Sequence, residues 1–108
     1  MELLTRIEEI ILLAVLELGA QAYGVTIRER VKEITGKSIS VGAIYIPLER
    51  LKEQRLLKDW QGDPTPERGG RRKRFYRVTS DGMRALRESK RIHDSLWKKV
   101  TDRGLMAA

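Results

Sequence analysis

The sequence predicts a mostly α-helical chain carrying one small β-hairpin, and three observations carry that prediction. Apolar residues recur at helical spacing in three short blocks before Leu56. Two strand-like runs, Leu56 to Trp60 and Lys73 to Thr79, then flank a stretch containing Gly62, Pro64, Pro66, Gly69 and Gly70. A last amphipathic block extends from Thr79 to about Arg103.

In the first helix Leu3, Ile7, Ile10, Ile11, Ala14, Val15 and Leu18 fall on one stripe, while Leu12, Leu13 and Leu16 fill much of the opposite face. A helix apolar nearly all round belongs at the centre of a fold. Gly19 is its expected stop, because glycine leaves a helix without a Cβ penalty. The second helix follows Tyr23 and Gly24, buries Ile27, Val31 and Ile34, and stops at Gly36; Arg28, Glu29, Arg30, Lys32 and Glu33 keep its other faces in water. Ser40 is the expected N-cap of a third helix whose buried stripe is Ile44, Leu48 and Leu51. Pro47 lies inside that helix, where it removes the hydrogen bond to the Ala43 carbonyl and is expected to bend the axis near Tyr45 and Ile46.

The second strand is rich in aromatic and β-branched residues, with Tyr76 and Val78 alternating against Phe75 and Arg77, so one set faces the core. Trp60 is expected at the base of the hairpin, and residues 61–72 as a long glycine-tipped loop. Thr79 caps the final helix, with Met83, Leu86, Ile92, Leu96, Trp97 and Val100 as its apolar positions. Three helices followed by a two-stranded hairpin is the order of a winged helix-turn-helix. The expected organisation is therefore a winged domain over residues 1–79, a dimerisation helix over 80–103 and a frayed tail over 104–108.

Composition narrows the function classes. A chain of 108 residues has room for one modest core, and its net charge of +7 favours polyanionic partners. The absence of cysteine excludes disulfides, thiolate zinc sites and cysteine nucleophiles, and suits a reducing cytoplasm. With His93 as the sole histidine, a His-rich metal site cannot be built in one chain. No nucleotide-binding glycine loop, paired catalytic carboxylates or metal-ligand spacing stands in the sequence, so neither enzyme activity nor a metal or cofactor is expected. The apolar run from Ile10 to Leu18 contains Glu17, follows Glu8 and Glu9, and is too short to span a bilayer, so no targeting or membrane segment is expected.

Two features point to double-stranded DNA. Arg68, Arg71, Arg72, Lys73, Arg74 and Arg77 crowd into the hairpin with only Glu67 among them, a cluster suited to phosphates or a narrow minor groove. With Ile44 at the centre of the buried stripe, the 100° helical step turns Gly42, Ile46, Glu49 and Glu53 outward, flanked by Tyr45 and Arg50. Gly42 permits close approach of the backbone, and Ile46 can meet a thymine methyl. Ser40, beside Val41, and Tyr45 offer hydroxyls to phosphate, and Arg50 offers a fork to phosphate or guanine. Glu49 and Glu53 cut against this reading, because carboxylates repel phosphates.

The segments YGVTIRERV (residues 23–31), SVGAIYIPLERL (40–51) and GDPTPERGGRRKRFYRVTSDG (62–82) together resemble the PadR family of bacterial transcriptional regulators. That resemblance implies a winged helix that binds DNA and a C-terminal helix that dimerises, in the subgroup with one such helix. It implies Ser40, Gly42 and Tyr45 at the DNA face and Arg71 to Arg74 in the wing; members of the family often repress nearby genes, and some of them release DNA when a small molecule binds. Pro47 departs from the family pattern by one position. For the homodimer, Leu3, Leu4 and Ile7 are expected to pack against Met83, Leu86, Ile92, Leu96, Trp97 and Val100 of a second copy. The competing reading is a protein-interaction module in which the basic hairpin docks an acidic partner.

Overall fold

The computed structural model describes residues 3–64 and 72–105. Helix α1 (Arg6–Leu18) is followed by a single 3-10 turn (Gly19–Gln21), then α2 (Gly24–Thr35), α3 (Val41–Glu53), β1 (Leu57–Pro64), β2 (Arg72–Val78) and the long α4 (Ser80–Asp102). The order is the predicted one, and its junctions have local causes. Thr5, not Leu3, opens α1: its Oγ1 accepts from the Glu8 amide at 3.2 Å while its own amide donates to Glu8 Oε1 at 2.8 Å. This reciprocal box satisfies two backbone donors that the helix start would leave orphaned. Ser40 caps α3 as expected, its Oγ accepting from the Ala43 amide at 3.1 Å. Thr79 caps α4 through the Gly82 amide, and its hydroxyl also donates to the Arg55 carbonyl at 2.7 Å. Gly36 ends α2 in the left-handed conformation at φ 71°.

The core gathers on α1. Ile11, Leu12 and Ala14 are fully buried against Ile27 and Val31 of α2, Ile44, Leu48 and Leu51 of α3, and Leu57 and Tyr76 of the hairpin. The expectation that α1 is the central helix is met, although Leu13 and Leu16 stay 44% and 43% exposed. Pro47 is buried on the core side of α3, and the helix runs through it without interruption.

The hairpin is antiparallel, with Leu57 opposite Val78, Asp59 opposite Tyr76 and Trp60 opposite Phe75. It reaches further than the sequence reading placed it: β1 continues to Pro64, with an irregularity between Gln61 and Pro64 that gives β1 one extra residue. Gly62 reads as a loop residue in the sequence, yet in the strand it lies against the Phe75 ring, where a Cβ would stand 2.4 Å from a ring carbon. The other edge of β2 is closed by one bridge from Phe75 to Tyr23, with the Tyr76 amide donating to the Ala22 carbonyl at 2.9 Å. The hairpin is thereby tied to the start of α2.

Gly82 seats α4 against the turn between α3 and β1. A Cβ there would lie 2.3 Å from the Leu56 carbonyl oxygen and 2.7 Å from a Val78 methyl, and backbone cannot yield as a side-chain tip does. Gly82→Ala is therefore expected to cost about 3 kcal/mol, the upper end for overpacking, and to lower Tm by more than about 10 °C in thermal unfolding. An unchanged Tm would mean that α4 is not seated there. Beyond Ser89 no residue of α4 is buried, and the molecule reaches 57 Å along its longest axis.

Candidate nucleic-acid interface

Helix α3 presents the face that its periodicity predicts. Gly42, Tyr45, Ile46, Glu49, Arg50 and Glu53 are all exposed, as are Ser40 and Val41 at its N-terminus. Ile46, at 63%, is among the most exposed large apolar side chains of the chain. A Cβ on Gly42 would meet no atom within 4 Å, so the outward side of the first turn is open. The Ser40 hydroxyl oxygen already accepts from Ala43, which leaves its proton for an outside acceptor. The free amides and positive dipole end of a 13-residue helix point the same way.

Two flanking residues are less free than the sequence implied. The Tyr45 hydroxyl lies over the first turn of α2, where a Cβ on Gly24 would stand 2.6 Å from it. Tyr45 thus also packs the joint between α2 and α3. Arg50 lies with one guanidinium nitrogen 3.9 Å from Glu8 Oε2. Glu8 is buried, and this oxygen has no hydrogen-bond partner among the described residues. A buried carboxylate with one distant cation is costly unless paired, so Glu8 draws Arg50 back toward α1.

In the hairpin, Arg71 lies outside the described residues, and of Arg72 the structure describes the strand position only. The Lys73 ammonium sits 4.4 Å from the Tyr23 ring centroid, a cation–π contact. Arg74 donates to Asp59 Oδ2 at 2.7 Å, and Lys52 of α3 reaches the same oxygen at 3.3 Å. Burial pushes the Asp59 carboxyl up, but hydrogen bonds from Arg74 and Lys52 outweigh it and hold the group below its ordinary value. Trp60 is partly exposed and stacks on Phe75, with centroids 5.9 Å apart, and Phe75 meets Tyr23 edge-on at 5.6 Å. Trp60 therefore joins Phe75 and Tyr23 in an aromatic cluster, and with Phe75 it lines a cavity shared with Val15 and Leu16 of α1 and Met83 of α4. On the strand face opposite Phe75, burial raises the Tyr76 hydroxyl to about 12, so the ring stays neutral beside the charged cluster.

Sequence reasoning missed Asp59, Lys52 and Glu8. Only Asp59 left a signal, as a carboxylate two residues after buried Leu57 on the strand face that also carries Tyr76.

The residues assigned to a dimer interface divide into two sets. Leu86 is buried in the chain's own core, and Leu4, Ile7 and Met83 pack against that core. Leu86 thus has little surface left to give a partner. Leu3, Leu96 and Trp97 are 72%, 55% and 58% exposed, with Ile92 and Val100 half-buried. Between α1 and α4 runs a groove of about 520 Å³ whose lining includes Leu13, Leu16, Met83 and Trp97. At its edge Glu9 Oε2 accepts from the Ser89 hydroxyl at 2.8 Å and lies 3.2 Å from His93 Nε2. Among the described residues there is no metal-ligating cluster, and no helix is long and apolar enough to cross a membrane.

Three helices packed on α1, an exposed third helix and a basic hairpin beside it define a winged helix-turn-helix, the fold of DNA-binding transcriptional regulators. The model of the PadR-like transcriptional regulator family matches residues 12–88, and the chain belongs to that family. Among solved structures it is similar to a PadR family transcription regulator from Clostridium difficile, with 30% identity, TM-score 0.65, and coverage of 94% of this chain and 99% of that one. A transcriptional regulator from Clostridium thermocellum is 25% identical with TM-score 0.68, covering 90% and 87% of the two chains. A PadR-like regulator from Bacillus cereus shares the fold at TM-score 0.70 and 20% identity, covering 94% and 92%. No curated protein matches the sequence.

Proposed function

We propose that the protein is a homodimeric, sequence-specific DNA-binding repressor that works in the cytoplasm without metal or cofactor and without catalytic activity. The observation that carries this reading is the open N-terminal half of α3, where Ser40, Val41, Gly42 and Ile46 form an uncovered surface at the positive end of a helix. Two such helices in a dimer enter successive major grooves about 34 Å apart, which makes the operator a palindrome. Arg71, Arg72, Lys73 and Arg74 bring the hairpin to the flanking backbone, and Tyr45 and Arg50 border the reading surface.

The exposed Leu3, Leu96 and Trp97, with Ile92 and Val100, supply the dimer contact, residues 80–103 serving as the dimerisation helix of a winged domain over 1–79. The groove between α1 and α4 is the place where a small-molecule effector that releases the DNA would lodge. Phosphate contacts make such binding strongly salt dependent. If the dimer neutralises about 6 to 10 phosphates, log K against log salt falls with a slope of about −5 to −9. Fluorescence anisotropy of a labelled duplex over a salt series measures it, and no binding at low salt would refute the reading.

A further inference from the structure

We propose that Asp59 is a positioning residue for DNA recognition, tying Lys52 of α3 to Arg74 of β2 so that reading helix and hairpin meet the DNA as one rigid surface. The proposal rests on the DNA-binding reading and adds to it the device that sets the angle between its two parts.

Three features single Asp59 out. One oxygen, Oδ2, holds both cations, at 2.7 Å from Arg74 and 3.3 Å from Lys52. The Asp59 side chain is 10% exposed whereas those of Lys52 and Arg74 are 41% and 42% exposed, so the carboxylate lies beneath two cations that still face water. The cluster also bridges separate elements, since Lys52 stands in the last turn of α3 and Arg74 on the far strand of the hairpin.

A carboxylate placed only to cancel charge would need one partner. Here Arg74 spends one of its five N–H donors on Asp59, and the planar guanidinium is held with others available. Lys52 likewise keeps donors, although Glu49 on the reading face lies 3.8 Å from its ammonium and takes part of its charge. Long cationic side chains normally lose rotamer freedom when they bind phosphate, and anchoring them beforehand removes much of that cost. The sequence assigned Arg74 directly to DNA; the geometry makes it a braced cation whose aim depends on Asp59.

The test uses the full-length protein and a duplex recovered from genomic fragments by the wild type. Asp59→Asn keeps the shape and removes both ion pairs. Affinity is expected to fall about tenfold and the salt slope to become shallower by about one to two, the loss of one or two phosphate contacts. Hydroxyl-radical footprinting is expected to lose protection of the flanking backbone while the central half-sites stay protected, which a general loss of stability would not produce. Adding Asp59→Asn to a Lys52→Gln/Arg74→Gln protein is expected to cost nothing further. Should Asp59→Asn fail to fold, Lys52→Gln, at a half-exposed position, is expected to lose the same flanking protection because it unties α3 from the hairpin. Retained flanking protection, tighter binding by Asp59→Asn, or an undiminished loss in the doubly substituted background would each overturn the proposal. If the wild type itself binds no duplex, the DNA-binding reading fails; if it binds and the variants match it, only the positioning role fails.

Discussion

Replacing Gly42 with leucine is expected to leave the fold intact and to weaken DNA binding at least about a hundredfold. A Cβ at this position meets nothing within 4 Å, so the new side chain projects into open space. Exchanging glycine for a helix-forming residue within α3 gains up to about 1 kcal/mol of helix propensity, so Tm should hold or rise. The same projection holds the helix off the groove floor. Losing two base contacts worth about 1 to 3 kcal/mol each accounts for a hundredfold, and Gly42→Ala, one methyl larger than wild type, should fall between. The substitution also separates two function classes. An acidic protein docking only on the basic hairpin would bind the Gly42→Leu variant unchanged, whereas reversing charge in the hairpin would damage either kind of binding.

The second large effect concerns assembly. Leu96 and Trp97 are 55% and 58% exposed on the part of α4 that leaves the body of the domain, so changing both to glutamate removes little from the core of a single chain. In a dimer built on that helix it buries two charges from each protomer, four in all, at the contact. The doubly substituted protein is expected to be monomeric by light scattering at concentrations where the wild type is dimeric. Its affinity for a two-half-site duplex should drop by about 100-fold or more, because the second half-site is no longer delivered at high effective concentration. Removal of the chain from Lys90 onward is expected to give monomer or unfolded protein. A stable dimer after either change would place the interface elsewhere.

Much of the fold was legible because it is encoded locally. Ser40 and Thr79 stand directly before apolar-periodic runs, and the structure uses both as caps. The stripe Ile44, Leu48 and Leu51 sufficed to fix which side of α3 faces outward, and hence the exposure of Gly42 and Ile46. What the sequence obscured depends on contacts between distant residues. Gly62 and Pro64 look like strand breakers, yet β1 runs through them, since Gly62 fits beneath Phe75 and the irregularity absorbs the extra residue before Pro64. The basic cluster was visible as composition, but the partners of its members were not: Lys73 rests on Tyr23, and Arg74 shares Asp59 with Lys52. No periodicity announces an ion pair fifteen residues apart across a hairpin. Leu13 and Leu16 show the converse: a helix apolar nearly all round reads as central, while in one chain it still leaves part of that surface exposed.

The most direct test of the central claim is to incubate purified protein with sheared genomic DNA at moderate salt and sequence the fragments it retains, with the Gly42→Leu variant treated in parallel. The account predicts an enriched palindrome with half-sites about one helical turn apart for the wild type and none for the variant. Retention without enrichment, or the same enrichment by the variant, would contradict it.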